Sequence, residues 1–201
     1  MDEALKVAVD FVEGRISEKE FEKKLYSDPD LEKLLADSSL NWHSTYIKST
    51  PYDYLIGLDF NDPGDICTAQ GALELFLNKR GIAFRHATVH LDLLDILRDS
   101  QPKWLDVDPA YVKDHILPKA GQRQGNELKD WLKARFRQLF RCHKKPPSWI
   151  QNPAWPINEH GPLYFLGQIK IENCSLFHDD GALYVFLDAV NGSTATLTQL
   201  Y

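Results

Sequence analysis

The chain has 201 residues, of which 43% are hydrophobic and 26% are charged, and its formal net charge at pH 7 is −6. This composition is ordinary for a globular protein and excludes a chain that is disordered throughout. The acidic balance argues against a nucleic-acid binder that uses its whole surface, because neutralising phosphates requires Lys and Arg.

The sequence shows neither a secretion signal nor a membrane span. Its N-terminus, MDEALKVAVD, lacks the basic start and apolar stretch of a signal peptide. No segment offers the ~18 uninterrupted apolar residues of a membrane helix, so we expect a cytoplasmic protein without a membrane partner. The three cysteines are too widely spaced for a disulfide framework or a CxxC site, which predicts reduced thiols and no bound cofactor: Cys67, Cys142 and Cys174.

The first forty residues predict three short helices. An apolar stripe at helical spacing ends at Gly14. Ser17 and Glu20 form a capping box, and Asp28 before Pro29 is a further helix start. The three apolar faces consist of Leu5, Ala8, Val9 and Val12, then Phe21 and Leu25, then Leu31, Leu34 and Leu35.

The middle of the chain contains the clearest helix start. Asp62 is placed to cap the helix and Pro63 fits its first turn, and Gly81 is the expected stop. Before this helix we expect a connection over residues 38–51 and a short helix from Tyr52 to Asp59.

The segment Ile82 to Val89 is ambiguous, and one interpretation is a short strand that leads into a helix. Asp108-Pro109 predicts another short helix, and Asn126 is the expected cap of the last strong helix. The helix after Val89 bears Leu91, Leu94 and Leu97.

After residue 145 the pattern becomes extended, because five prolines within seventeen residues exclude a long helix. Runs typical of strands follow at Leu163–Ile171 and Leu183–Leu187, and the Asn191-Gly192 turn leads to an alternating run at Thr194–Leu200. The sequence predicts an α+β fold in which a helical N-terminal two-thirds packs with a small antiparallel β-sheet from the C-terminal third. We expect a single domain over residues 1–201, mainly helical in 1–145, with a Pro/Trp-rich arm and the sheet in 146–201.

The final third also carries a distinctive string of residues. Pro147-Ser148-Trp149 leads to Trp155-Pro156, and then come the runs GPLYFLGQI from Gly161 and DGALYVFLD from Asp180. Over residues 145–190 this string resembles the core signature of the YwqG-like family of bacterial proteins. The resemblance implies a β-rich fold and a genomic setting beside polymorphic toxins. The helical leader beside a β module is similar in architecture to bacterial immunity proteins.

The residues of this string also support direct physical expectations. The rings of Trp149 and Trp155 are expected to cover one face of the sheet. Gln168 lies inside an apolar run, and a buried amide there needs a backbone or neighbouring-strand partner.

Two groups of residues have the chemistry of a metal or hydrolytic site. His86, His90 and Asp92 have a spacing that suits metal ligation, and His178 with Asp179 and Asp180 forms an acidic cluster between two strands. A helix start and a polar turn explain the same residues without any function. An enzyme that uses one of these His/Asp clusters therefore remains an alternative, but no nucleophile elbow, P-loop or GxGxxG motif accompanies them.

The charge pattern favours protein binding. Residues 1–40 hold eleven acidic and six basic residues, and this region is expected to present an acidic face to a basic partner. The predicted function is a non-catalytic cytoplasmic binding protein, in its sharpest form an immunity protein that neutralises a cognate bacterial toxin by protein–protein contact. The candidate contact residues, all expected to be exposed, are Glu13, Glu18, Glu22, Asp28, Asp30 and Glu32.

A basic segment over residues 129–145 offers the remaining alternative, a nucleic-acid accessory module. This alternative is disfavoured because Trp131, Phe136 and Phe140 belong to the apolar stripe of the helix, which leaves no evident ring for base stacking. The candidate basic patch consists of Arg135, Arg137, Arg141, Lys144 and Lys145.

Overall fold

The computed structural model describes residues 2–172 and 178–201, and in them helices precede strands, which confirms the α+β fold. Cys174, one of the three cysteines expected to be reduced, lies outside the described residues. The helices are α1 (Glu3–Val12), α2 (Glu18–Ser27), α3 (Pro29–Leu35), α4 (Pro51–Leu55), α5 (Pro63–Lys79), α6 (Val89–Asp99), α7 (Pro109–Tyr111) and α8 (Gly125–Leu139), with a π-helical turn at Val112–Ile116 and a 3-10 turn at Leu117–Lys119. The strands are β1 (Ile157–Asn158), β2 (Gly161–Pro162), β3 (Tyr164–Ile171), β4 (Gly181–Leu187) and β5 (Thr194–Leu200).

The chain divides into two compact units, Met1–Asp95 and Ile96–Tyr201. The N-terminal unit is helical, whereas the C-terminal unit contains α7, α8 and all five strands. The expectation of one domain over residues 1–201 stays a prediction. Among the described residues no helix is both long and apolar enough to cross a membrane.

The helix starts follow the local signals in the sequence. The Ser17 hydroxyl accepts a hydrogen bond from the backbone N–H of Glu20 at 3.2 Å, which confirms the predicted cap of α2. The carboxylates of Asp28 and Asp62 cap α3 and α5 in the same way. Gly81 ends α5 with a φ of 66°, a conformation that favours glycine because it has no Cβ.

Two local expectations were wrong, and one ambiguous segment adopts the non-strand alternative. The short helix α4 begins at Pro51, one residue earlier than expected, because Thr50 caps it, and it ends at Leu55, four residues before the expected end. The helix α8 begins at Gly125 after Gln124, so Asn126 lies inside the helix and does not cap it. No strand forms over residues 82–88, which are all described, because side chains from α5 and the α1 terminus bond their backbone. Glu13 accepts from Arg85 N at 2.9 Å, and Gln70 donates to Ala87 O at 2.6 Å.

An aromatic cluster lies at the centre of the N-terminal unit. Phe11 is fully buried and stacks on Phe21 with 4.3 Å between the ring centroids. Phe60 packs against both rings, at 6.5 Å from Phe11 and 5.8 Å from Phe21. The cluster joins α1 and α2 to the segment before α5 and so holds the helices of this unit together.

In the C-terminal unit the strand order is β3-β4-β5, with both pairings antiparallel. The expected hairpin between β4 and β5 is confirmed, and Gly192 at its turn has a φ of 76°. Trp149 and Trp155 cover one face of the sheet as predicted, with ring centroids 6.3 and 5.4 Å from that of Phe186. The small β1–β2 hairpin was not predicted, because each strand has only two residues.

Gln168 differs from its prediction in one respect. Its amide bonds both the N–H and the carbonyl of Ser148, so the predicted backbone partner is confirmed. The side chain is exposed rather than buried, because Ser148 lies along the outer edge of β3.

Candidate functional site

Two tyrosines of the N-terminal unit lie together on its surface beside carboxylates. Tyr26, at the end of α2, is 58% exposed, and its hydroxyl donates to the backbone oxygen of Ile56 at 3.3 Å. Partial burial raises the pKa of the Tyr52 phenol, and the neighbouring Glu32, Tyr26 and Asp53 raise it further. We call these five residues, Tyr26, Glu32, Tyr52, Asp53 and Ile56, the tyrosine–carboxylate surface.

Hydrogen bonds stabilise the charged form of the Asp53 carboxylate. Hydrogen bonds from the hydroxyls of Ser49 and Thr50, at 2.6 and 2.7 Å, lower its pKa below the ordinary value. Asp53 is exposed on α4, and its negative charge contributes to the raised pKa of Tyr52. An exposed, ionised carboxylate next to a phenol ring is suited to contact with Lys or Arg.

A second pair of tyrosines also includes a residue of α4. The rings of Tyr46 and Tyr54 lie 5.4 Å apart, and Tyr46 is 49% exposed. Burial of part of the ring and the proximity of Tyr54 raise the pKa of Tyr46. Tyr54 of α4 therefore packs against a tyrosine from another part of the unit.

The N-terminal unit is also strongly acidic. Residues 1–95 carry 18 acidic and 10 basic side chains, a net charge of −8, whereas residues 96–201 carry 11 and 13, a net charge of +2. The negative field around the N-terminal unit is thus stronger than the net charge of the whole chain indicates, and such a field accelerates association with a basic partner.

Of the six acids predicted as exposed contact residues, only Asp30 and Glu32 are exposed. Glu13 accepts from the Arg85 N–H and pairs with Arg15, which lowers its pKa, and Asp28 is occupied in capping α3. Glu18 and Glu22 are half-buried on α2. The expectation of full exposure was therefore wrong for Glu13, Glu18, Glu22 and Asp28, which are all half-buried.

The tyrosines of the surface were not identified from the sequence. One available signal was the spacing of Tyr46, Tyr52 and Tyr54, three tyrosines within nine residues next to Asp53. Tyr26 carries no such signal, because only folding brings it to Ile56, thirty positions further along the chain.

The structure does not bring His86, His90 and Asp92 together as metal ligands. The His86 ring bonds Glu74 at 2.6 Å, the His90 ring lies 5.8 Å from that of Phe11, and Asp92 accepts from Thr88 at 2.7 Å. Within residues 2–172 and 178–201, no group of three or more His, Cys, Asp or Glu side chains is arranged to hold a metal ion.

The second predicted cluster lies in an exposed bend before β4. His178, Asp179 and Asp180 are all exposed there, and the backbone oxygen of Asp180 accepts from Tyr201 N at 3.0 Å. Cys142 is half-buried, and the backbone N–H of His143 donates to Phe165 in β3. The backbone bonds of Asp180 and His143 therefore join these residues to the sheet.

Two clefts open on the described part of the chain, and neither is lined by a described Asp or Glu side chain. The cleft beside Trp149 has a volume of about 420 Å³ and contains one amine, that of Lys170. The cleft beside Trp42 has a volume of about 400 Å³ and contains His43 and Lys48. The described linings therefore offer no pair of acid and base.

The basic patch is largely exposed. Arg137, Arg141, Lys144 and Lys145 face solvent, whereas Arg135 is half-buried and donates to Gln138 at 2.7 Å. The Arg141 guanidinium lies 5.8 Å from the centroid of the Tyr164 ring. Phe136 and Phe140 are buried, so these rings do not provide a stacking platform for bases.

An ion pair between a buried aspartate and a half-buried histidine of the C-terminal unit was not predicted. Asp188, at the end of β4, is only 2% exposed, and its Oδ2 accepts from Asn158 Nδ2 and bonds His160 Nδ1, both at 2.8 Å. The bond from His160 is the main reason that the pKa of Asp188 is well below its ordinary value. The same bond raises the pKa of His160. The pair ties the β1–β2 hairpin to the turn after β4.

This pair predicts a bell-shaped contribution to stability. Because the pKa of Asp188 is lowered in the fold, its contribution is lost as pH falls below about 4. Because the pKa of His160 is raised, its contribution is complete below about pH 6.5 and is lost at higher pH as the imidazolium deprotonates. We therefore expect the free-energy difference between wild type and Asp188→Asn to be largest between these limits, as measured by urea unfolding across pH.

The matched control is Asp179→Asn, which changes an exposed aspartate of the same unit. Its difference from wild type should show no such maximum. A flat difference for Asp188→Asn across the whole pH range would show that the ion pair does not form.

Comparisons of the chain with models of protein families, with curated proteins and with solved structures found no match. The resemblance to the YwqG-like family therefore stays an expectation.

Proposed function

We propose that this chain is a non-catalytic binding protein whose N-terminal unit recognises a basic surface of a partner protein. The observation that carries the proposal is the tyrosine–carboxylate surface, where the exposed Tyr26 bonds Ile56 through its hydroxyl and the exposed carboxylates of Glu32 and Asp53 act electrostatically on Tyr52. Tyrosine is enriched among the residues that contribute most to protein–protein binding, because its ring offers a large, rigid contact area.

The chemistry of this surface selects a partner rich in Lys or Arg. A guanidinium or ammonium group stacks on a phenol ring and pairs with a carboxylate within the same few ångströms. The net charge of −8 on residues 1–95 would steer such a partner toward the unit from a distance.

In its sharper form, the proposal is an immunity protein that binds a cognate bacterial toxin and covers its active site in the cytoplasm. The resemblance of residues 145–190 to the YwqG-like family supports this form, because that family occurs beside polymorphic toxins. An acidic, tyrosine-bearing surface is complementary to a toxin whose active site is basic, as a site that binds nucleic-acid phosphates must be.

The proposal predicts that a partner recovered with the wild-type chain is lost from the double variant Tyr26→Ala/Glu32→Lys. The variant removes an exposed ring and reverses an adjacent charge, so we expect the partner to bind at least about tenfold more weakly. The measurement is affinity capture of the full chain from its native host after mild cross-linking, followed by titration of the recovered partner.

The matched control is Asp95→Lys, which reverses an exposed charge on α6 in the same unit. It alters the net charge as Glu32→Lys does but leaves the tyrosine–carboxylate surface intact. If both variants lost the partner equally, the loss would follow from the changed net charge of the unit and not from the tyrosine–carboxylate surface. Recovery of the wild-type chain without any partner would contradict the proposed function.

A further inference from the structure

The two edges of the three-stranded sheet differ in how their backbone groups are satisfied. Along β3, the N–H of Phe165 donates to Arg141 O and its carbonyl accepts from His143 N, both at 2.9 Å. Further along, the Gln168 amide bonds both backbone groups of Ser148. A bulge between Phe165 and Gly167 also interrupts this strand. Residues 141–148 thus protect the β3 edge against another strand.

The opposite edge, β5, directs alternate backbone groups into solvent. Asp188 N donates to Ser193 O at 2.8 Å and Tyr201 N donates to Asp180 O at 3.0 Å, which fixes the alternation of an antiparallel ladder. Odd-numbered residues of β5 therefore bond β4, and even-numbered residues direct their N–H and C=O groups outward. The carbonyl of Leu200 accepts from Gln151 at 2.8 Å.

The outward backbone groups of three threonines remain open along this edge. No hydrogen bond within residues 2–172 and 178–201 occupies the outward N–H and C=O groups of Thr194, Thr196 and Thr198. All three side chains are exposed. An edge of this kind is a template for a further strand, because each open group gains a hydrogen bond when another chain pairs with it.

The usual protections of an edge strand are absent from β5. Its sequence, TATLTQL, has no charged residue and no proline, and it pairs with β4 over seven positions without a bulge. The sheet face next to it is apolar, since Thr198 and Thr196 lie opposite the half-buried Leu183 and Val185, and Ile169 beyond them is 61% exposed.

We infer that β5 is a self-association site, at which a second copy of this chain adds its own β5 antiparallel to form a continuous six-stranded sheet. The strand is complementary to itself when the pairing is centred on Leu197. Thr196 of one copy then faces Thr198 of the other, and both residues have outward backbone groups. Thr–Thr pairs across strands are favourable, and no like charges meet because the strand is uncharged.

Two measurements on the full chain test this inference. Sedimentation equilibrium should show a concentration-dependent shift from one chain to two. Over the same range, amide hydrogen exchange should slow at Thr196 and Thr198, while Leu197 and Gln199, which already bond β4, should change little. A chain that stays monomeric at every concentration, with rapid exchange at both threonines, would overturn the inference.

Variants of Thr196 locate the interface. Thr196→Lys places a charge on the open edge, and Thr196→Pro removes an outward N–H without removing a donor to β4. Both should weaken dimerisation at least about tenfold, whereas the control Thr196→Val should retain the dimer because it keeps a β-branched, uncharged side chain. Circular dichroism checks that each variant is folded. A dimer that persists in the folded Lys variant would show that the copies associate elsewhere.

Discussion

Replacing Trp155 with alanine is expected to lower the free energy of unfolding by about 3–5 kcal/mol. The side chain is 7% exposed, and its indole N–H donates to the backbone oxygen of Leu163 at 2.8 Å. The substitution leaves a large cavity and an unpaired carbonyl between the arm and the sheet. The rings around this position, with centroids 5.4 to 6.1 Å from that of the indole, are Trp104, Phe140, Phe165 and Phe186.

The conservative variant Trp155→Phe separates packing from hydrogen bonding. It retains one ring in the cluster but leaves Leu163 O without its donor, so a smaller loss of about 1–3 kcal/mol is expected. Chemical denaturation of both variants gives the measurement. If Trp155→Ala lost less than about 1 kcal/mol, the arm would not be packed on the sheet.

Replacing Phe11 with alanine is expected to lower the free energy of unfolding by a similar amount, about 3–5 kcal/mol. Phe11 is fully buried, stacks on Phe21 at 4.3 Å and contacts Phe60 edge-on at 6.5 Å, so its removal opens a cavity where α1, α2 and the segment before α5 meet. The variant Phe11→Leu, which keeps a large apolar side chain, should cost less than Phe11→Ala because it leaves a smaller cavity.

The two alanine variants together test how the chain is organised. Each lies in a different compact unit, Met1–Asp95 for Phe11 and Ile96–Tyr201 for Trp155. We expect amide exchange protection to fall mainly in the unit that carries the substitution, because units with their own cores open separately. Equal loss of protection in both units would instead support the single cooperative domain expected from the sequence.

Most helix boundaries were predictable because their causes are local. The hydroxyl of Ser17 and the carboxylate of Asp28 each bond backbone N–H groups two or three residues away, so the sequence pattern contains the whole interaction. The strands β4 and β5 were predictable for a related reason, since their alternation and the Asn191-Gly192 turn between them are neighbouring features.

Exposure and partner choice were predicted less well. Gln168 lies in an apolar run but is exposed, because Ser148, twenty positions earlier, lies along the edge of its strand. Glu13 was expected to contact a partner protein, but it accepts from the N–H of Arg85, 72 positions away. In each case the environment of the side chain depends on an element that the local pattern does not identify.

The same distinction holds for the candidate site. Composition alone establishes that the first 40 residues are acidic, with eleven acids against six bases, and local periodicity establishes helices followed by strands. Only the tertiary structure decides that Tyr26 meets Ile56 beside Glu32, or that Asp188 meets His160. These contacts join residues 28 to 30 positions apart, and such pairs form only when packing of the apolar core brings separate elements together.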